Sequence, residues 1–466
     1  MRPTSAPAPS PSKACPVTEL TFVGAAGTVT GSKHLVSIDG HHLFVDCGLY
    51  QGPRDVEALN LAPLPVPAAQ MEAVIITHGH LDHVGYLPKL VADGYRGPIY
   101  CTPATADVME IVLEDAAHIQ SHMHDRGFNH ERSHSLAPFF TTQDVSAALR
   151  LVKTVPIETD FNVCGAAVRY HYAGHIVGAA YVDMRIGGRR TIFSGDLGRY
   201  NAALLFDPTP LESTDTVVCE ATYGDRVHPP DSLAELRATL LAGIERGGPI
   251  VMPTFAVERS QDMLFAIGRL QDMDAQIARL PVHLDSPMAI KVDGVFAKHR
   301  DAYRELPETP GAPFGCRNLT LHVSSDQSKQ LNDLNAPAIV IASSGMATGG
   351  RILYHLYRNL QNPKATIVFP GYQGQGTLGR AIINGTSPVR IFGDELTVRA
   401  AIDHLSGFSA HAGQDELLRW LQTLGSTMPH VYIVHADPPS AQSFATILKE
   451  HGFAATVAQR GTTVTL

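Results

Sequence analysis

Residues 72–87 read Glu-Ala-Val-Ile-Ile-Thr-His-Gly-His-Leu-Asp-His-Val-Gly-Tyr-Leu, so the apolar run Val74-Ile75-Ile76 is followed within seven residues by His78, His80, Asp82 and His83. A short β-branched run of this kind reads as a buried strand. Polar groups crowded at its end would each need a partner if buried, and a bound cation satisfies several at once. His78 and His80, one residue apart, point to the same side of an extended segment. Asp82 and His83 come a step later, at a helix start, and reach a neighbouring position. The spacing therefore suggests two metal ions.

Four further short apolar runs end in the same way. Leu43-Phe44-Val45 precedes Asp46, Val168-Arg169-Tyr170 leads to His175, Thr191-Ile192-Phe193 precedes Asp196, and Val431-Tyr432-Ile433-Val434 precedes His435. If these strands share a sheet, their ends share one rim and the polar residues converge there. Imidazoles and carboxylates without a thiolate suit zinc, and manganese as well. Asp196, after Phe193-Ser194-Gly195, is the candidate bridge between two cations, which at about 3.5–4 Å apart can share a hydroxide and clamp a phosphoryl transition state. The expectation is a metal-dependent hydrolase.

Composition bounds the rest. A chain of 466 residues has room for two or three domains, and 44% hydrophobic residues describe an ordinary globular protein. No apolar run approaches membrane-spanning length. Residues 1–12, rich in Pro, Ser and Ala, read as a disordered tail and not a signal peptide. Six scattered cysteines (Cys15, Cys47, Cys101, Cys164, Cys219, Cys316) without paired spacing fit reduced thiols in a cytoplasmic protein. The net charge of −9 argues mildly against a globally basic nucleic-acid binder, and Arg185 with Arg189 and Arg190, Lys298 with His299 and Arg300, and Arg351 with Arg358 each read as solvated faces. With 23 histidines in the chain, the looser set His118, His122, His124, His130 and His134 reads as a polar helix end and loop.

Strands and helices alternate up to about residue 210, with helices expected over 85–93 and 105–124. From Tyr223 a βαβ rhythm takes over: a helix over 231–244, strands at 249–253, 282–284, 338–342 and 366–369, and a helix over 261–270. That rhythm implies a parallel sheet flanked by helices. A helix over 414–424 and then His435 follow. If His435 joins the site of His78, the βαβ block is an insertion. The expected division is a tail at 1–16, a first domain at 17–212, an inserted domain at 213–395 and a return segment at 396–466.

Several motifs together resemble a known family. Gly24 to Ser32 (GAAGTVTGS), Asp46 in VDCGLYQG, THGHLDHVGYLP, AGHIVGAA and FSGDLG resemble the metallo-β-lactamase fold, and PTFAVERSQ, LDSPMA, SSGMATGGR and GYQGQGTLGR resemble its β-CASP branch of RNA- and DNA-processing nucleases. The resemblance implies an α/β fold, a metallo-β-lactamase αββα sandwich with an inserted parallel-sheet β-CASP domain. It implies one zinc on His78, His80 and His175, a second on Asp82, His83 and His435, and Asp196 between them. Asp46 would stand beside the centre and orient it. Glu220 in CEATYGDR and His411 in GFSAHAG match the added acidic residue and histidine of the branch, as catalytic residues alongside Asp46 and Asp82, with His411 protonating the leaving oxygen. Ser344 and Ser409 are candidate substrate contacts.

The implied activity is hydrolysis of single-stranded RNA by endo- or exonucleolytic cleavage, with a homodimer as one assembly to test. Members acting on RNA carry histidine at the position of His435, where DNA-specific members have valine. The rivals are a small-molecule hydrolase of the same fold, a DNA nuclease, and a non-catalytic partner subunit, which would typically lack ligands present here. This sequence departs from the family in Ala436-Asp437, where Gly-Glu is usual, and in His404, which reads as structural.

Overall fold

The computed structural model describes residues 17–125, 138–230, 232–304 and 313–466, so the expected tail, His130 and His134 lie outside the described residues. The first sheet opens with an antiparallel meander, β1 (Thr18–Phe22), β2 (His34–Ile38) and β3 (His41–Val45), and continues in parallel through β4 (Met71–Ile75), β5 (Ile99–Cys101) and β6 (Val152–Thr154). The second sheet runs antiparallel through β7 (Asp160–Val163), β8 (Ala166–Tyr172), β9 (Ala180–Ile186) and β10 (Arg189–Phe193), then adds β11 (Thr216–Glu220) in parallel.

Alternation along the strands decides which layer each residue enters. In β3, Leu43 and Val45 join one cluster with Phe193 of β10 and Val218 of β11, between the two sheets. Phe44 points the other way, onto a cluster with Leu87, Leu90, Met109 and Leu113 from helices. Leu417, Trp420, Leu421, Phe444 and Leu448 cover the outer face of the second sheet. Helix, sheet, sheet and helix are thus stacked in order, the αββα sandwich expected.

A third sheet, parallel throughout, holds β12 (Ile250–Pro253), β13 (Val282–Leu284), β14 (Leu319–Leu321), β15 (Ile339–Ala342) and β16 (Thr366–Pro370) in the order β14-β13-β15-β12-β16. The hairpin of β17 (Val389–Ile391) and β18 (Asp394–Leu396) follows, and β19 (Ala401–Leu405) completes the sheet beside β16. Strands buried on both faces read as continuous apolar runs, as Ile339-Val340-Ile341-Ala342 does. Two separate clusters, one on each face of this sheet, form its core.

The chain then returns: β20 (His430–Val434) pairs with β11, β21 (Ala454–Val457) with β20, and β22 (Thr463–Thr465) with β1. The expected boundaries at 212/213 and 395/396 each lie just before the last strand ahead of a crossing between sheets. β11 belongs to the second sheet and β19 to the third, so each crossing between units falls one strand later in the chain. Both strands are five residues long and run parallel to their neighbours, and their hydrogen-bond partners decide which sheet each joins.

The helix expected over 85–93 spans Leu87–Ala92, with Pro88 in its first turn, and a separate short helix, Leu81–Val84, precedes it. The helix expected over 105–124 spans Pro103–Asp125. Its Asp107 joins the two units by pairing with Lys298 at 2.7 Å and with His299 at 2.5 Å. Among the described residues no helix is long and apolar enough to cross a membrane.

Candidate metal centre

The strand ends converge as the parallel registers require. β3 and β4 end side by side, with Val45 opposite Ile75, and β10, β11 and β20 do the same in the facing sheet, with Glu220 opposite Val434. Asp46, Thr77 and His78, Ser194 to Asp196, and His435 therefore meet where the two sheets abut. Gly48 and Gly198 allow this close approach: a Cβ on Gly48 would lie 1.5 Å from the Asp82 carbonyl oxygen, and one on Gly198 1.7 Å from that of Gly174. Asp46 and His435 themselves hold left-handed backbone, φ 59° and 49°. Non-glycine residues adopt it at a cost, and surrounding contacts such as His435 N–H to the Ala25 carbonyl at 2.6 Å hold it.

Two donor groups stand side by side, His78, His80, His175 and Asp196 in one and Asp82, His83 and His435 in the other, and Asp196 also lies with Glu220 and His411 in a third set. In the first, His80 Nδ1 lies 3.1 Å from His78 Nε2 and 3.2 Å from His175 Nε2, and Asp196 Oδ2 lies 3.5 Å from both of those Nε2 atoms. In the second, His435 Nε2 is 3.3 Å from both His83 Nε2 and Asp82 Oδ2. Asp196 Oδ1 stands 3.2 Å from His83 Nε2 and 3.6 Å from His435 Nε2. One carboxylate thus offers one oxygen to each group.

These spacings fit a metal. Donors about 2.0–2.1 Å from a tetrahedral zinc sit roughly 3.3 Å apart along each edge. Asp196 Oδ1 is buried with only the His83 and His435 imidazole nitrogens near it, an arrangement that a cation satisfies.

The tautomers point the same way. His83 Nδ1–H donates to Asp46 Oδ2 at 2.8 Å, His78 Nδ1–H to Thr77 Oγ1 at 3.1 Å, and His435 Nδ1–H to Thr222 Oγ1 at 3.0 Å. Each bond leaves Nε2 free as a ligand. Thr77 in turn donates its N–H and hydroxyl to Asp46. Burial, with neighbouring imidazoles, holds His78 and His175 well below the ordinary histidine range, so both present neutral lone pairs. Burial also lowers His435, but Asp196 and Asp82 outweigh it and raise the ring to about 9.

Glu220 is fully buried, accepting from Leu197 N–H at 2.7 Å and Thr222 N–H at 3.1 Å. Its Oε1 receives His411 Nδ1–H at 3.1 Å, and that nitrogen is 4.0 Å from Asp196 Oδ2. Burial lowers His411, but Glu220 outweighs it, by charge and hydrogen bond, with Asp196 adding to the rise.

Ser409 is 5% exposed and its Oγ accepts from His411 N–H at 3.3 Å, so it is engaged in holding that loop. Ser344 accepts from Thr348 N–H at 3.0 Å and Gly349 N–H at 3.3 Å, which shapes its own turn. His404 donates Nε2–H to the Gly371 carbonyl at 3.0 Å. Asp437 accepts from the Tyr372 hydroxyl at 3.1 Å, an engagement between the second and third sheets' loops. Thr77 and Thr222 were not legible as site residues, since a lone threonine beside a strand end carries no spacing signal.

An αββα sandwich with this donor set defines a metal-dependent hydrolase. The Metallo-beta-lactamase superfamily matches residues 29–269, the Beta-Casp domain 260–382, and the Zn-dependent metallo-hydrolase RNA specificity domain 395–458. The chain is 39% identical over 447 residues to a ribonuclease of Thermus thermophilus, covering 94% of this chain and 97% of that one. It is 29% identical to the transcription termination factor FttA of Methanosarcina mazei, over 91% of this chain and 68% of that one. It is 25% identical to the cleavage and polyadenylation specificity factor 73 of Drosophila melanogaster, over 89% and 59%. A crystal structure of a protein of unknown function from Enterococcus faecalis shares the fold, with a TM-score of 0.54 at 14% identity over 97% of this chain and 100% of that one. The chain belongs to the β-CASP family of the metallo-β-lactamase superfamily.

Proposed function

We propose that this enzyme is a zinc-dependent ribonuclease that hydrolyses phosphodiester bonds of single-stranded RNA at the junction of the sandwich and the inserted unit. The observation that carries the reading is Asp196, whose two oxygens face two separate donor groups. His78, His80 and His175 would hold one zinc, Asp82, His83 and His435 the other, with Asp196 shared. When bound, two such cations acidify water at neutral pH and neutralise charge that grows on phosphoryl oxygens.

The remaining steps fall to the protein. Asp46 fixes the tautomer and orientation of His83. Glu220 holds His411 through Nδ1 and keeps it protonated, leaving Nε2–H to pass a proton to the departing 3′ oxygen. The Thermus relative's name supports RNA as the substrate, as do the RNA specificity domain and the histidine at 435.

The test pairs metal analysis with cleavage of end-labelled RNA and matched DNA by the wild type and His83→Ala. About two zinc ions per chain, and RNA cutting lost in the variant, is the expected result; the product ladder separates internal from terminal cleavage. Bound zinc without cleavage of either polymer would overturn it.

A further inference from the structure

The chain passes from the sandwich to the inserted unit after β11 and back after β19, and the two crossings run side by side. Tyr223 bridges in parallel to Gly413, Gln414 N–H donates to the Arg226 carbonyl at 2.9 Å, and Ser232 Oγ donates to the Gly407 carbonyl at 2.9 Å. His411 sits on the returning crossing, outside any named helix or strand, with one isolated bridge to Gly198. Regular structure therefore does little to hold it, although its Nδ1 must meet a fully buried carboxylate.

We infer that His228, on the outgoing crossing, is a positioning residue for His411. Its Nε2 lies 2.8 Å from the His411 carbonyl oxygen. A carbonyl only accepts, so Nε2 carries the hydrogen and the tautomer is fixed. The His228 side chain is 7% exposed, and the Tyr223 ring stands edge-on to both histidines, with centroids 5.3 Å from His228 and 6.1 Å from His411. Burial, with the charge of Arg199, lowers His228 to about 4, so it donates as a neutral ring across the neutral range. The contact ties the general acid to the outgoing crossing by a route that bypasses Glu220. Removing it lets the loop backbone shift while the metal ligands, on other elements, stay in place. A displacement of about 1 Å at a reacting group can cost roughly 100-fold in rate.

The inference rests on His411 acting as the general acid, and a double-mutant cycle separates the two. Steady-state RNA cleavage, metal content and thermal melting are measured for wild type, His228→Ala, His228→Gln, His411→Ala and His228→Ala/His411→Ala. His228→Ala is expected to lower kcat by roughly 10- to 100-fold, with KM and zinc content nearly unchanged and a lowered but still cooperative melt. His228→Gln, which keeps an N–H donor of similar reach, recovers most of the rate. In the His411→Ala background, His228→Ala costs no further activity. A full and additive loss in that background, or no rescue by glutamine with melting intact, overturns the role of His228 alone. Near-normal cleavage by His411→Ala overturns the general acid, and the inference falls with it.

Discussion

Asp46 Oδ2 receives His83 Nδ1–H at 2.8 Å, with both side chains 1% exposed. The bond sets which His83 nitrogen faces the donor group, and Thr77 fixes the carboxylate from behind with its N–H and hydroxyl. Asp46→Ala should weaken binding of the second zinc by about 10- to 100-fold. Zinc titration by calorimetry would show one site nearly unchanged and one weakened; two unchanged sites would contradict the role.

Replacing Glu220 with glutamine removes the charge that raises His411. A general acid must be protonated, so its contribution falls as pH rises through its pKa. Glu220→Gln lowers that pKa, and the alkaline limb of the kcat profile should move to lower pH, with a larger loss at pH 8 than at pH 6. Parallel profiles for variant and wild type would contradict the assignment.

The two donor groups should respond differently to pH. Metal displaces protons from its ligands. Burial lowers His80 to about 4, and His78 and His175 lie well below 6.5, so the first group is already deprotonated at neutral pH. His435 at about 9, and His83, raised well above 6.5, hold protons that a cation must displace. Affinity for the second zinc should therefore rise from pH 6 to 9 while that for the first changes little, as competition with a metallochromic chelator would report.

Asp293 offers a stability test remote from the metal. Burial pushes its carboxyl up to about 7 from 3.8; Gln261 donates to one oxygen at 2.8 Å, and the other has no donor. The folded-state pKa of this acid is raised, so its ionised form costs stability that grows as pH rises from 3.8 to 7 and is constant above. Asp293→Asn keeps the acceptor and removes the charge. It should stabilise the protein at pH 8, by up to about 4 kcal/mol, and by little at pH 4. Denaturant melts at both values test this.

The candidate donors were legible because each follows a strand. A β-branched run ends, the chain leaves the sheet, and the first polar residues lie on the rim, as with Val74 to His78 and Val431 to His435. What was not legible depends on pairing between distant segments. β11 is an apolar run like its neighbours, β19 carries Asp403 and His404, and only pairing assigns either strand to its sheet. The hydroxyl oxygens of Ser409 and Ser344 accept backbone N–H groups close in sequence, a local engagement that no motif spacing announces. His228 lies in a Pro-flanked segment with no metal-like spacing, and only the juxtaposition of the two crossings gives it a partner.

The most direct test of the account is zinc content and end-labelled RNA cleavage for Asp196→Asn beside wild type, with folding checked by circular dichroism. The shared carboxylate predicts that this one change weakens both zinc sites and abolishes cleavage in a folded protein. A variant that kept two tightly bound zinc ions and cut RNA at near the wild-type rate would contradict it.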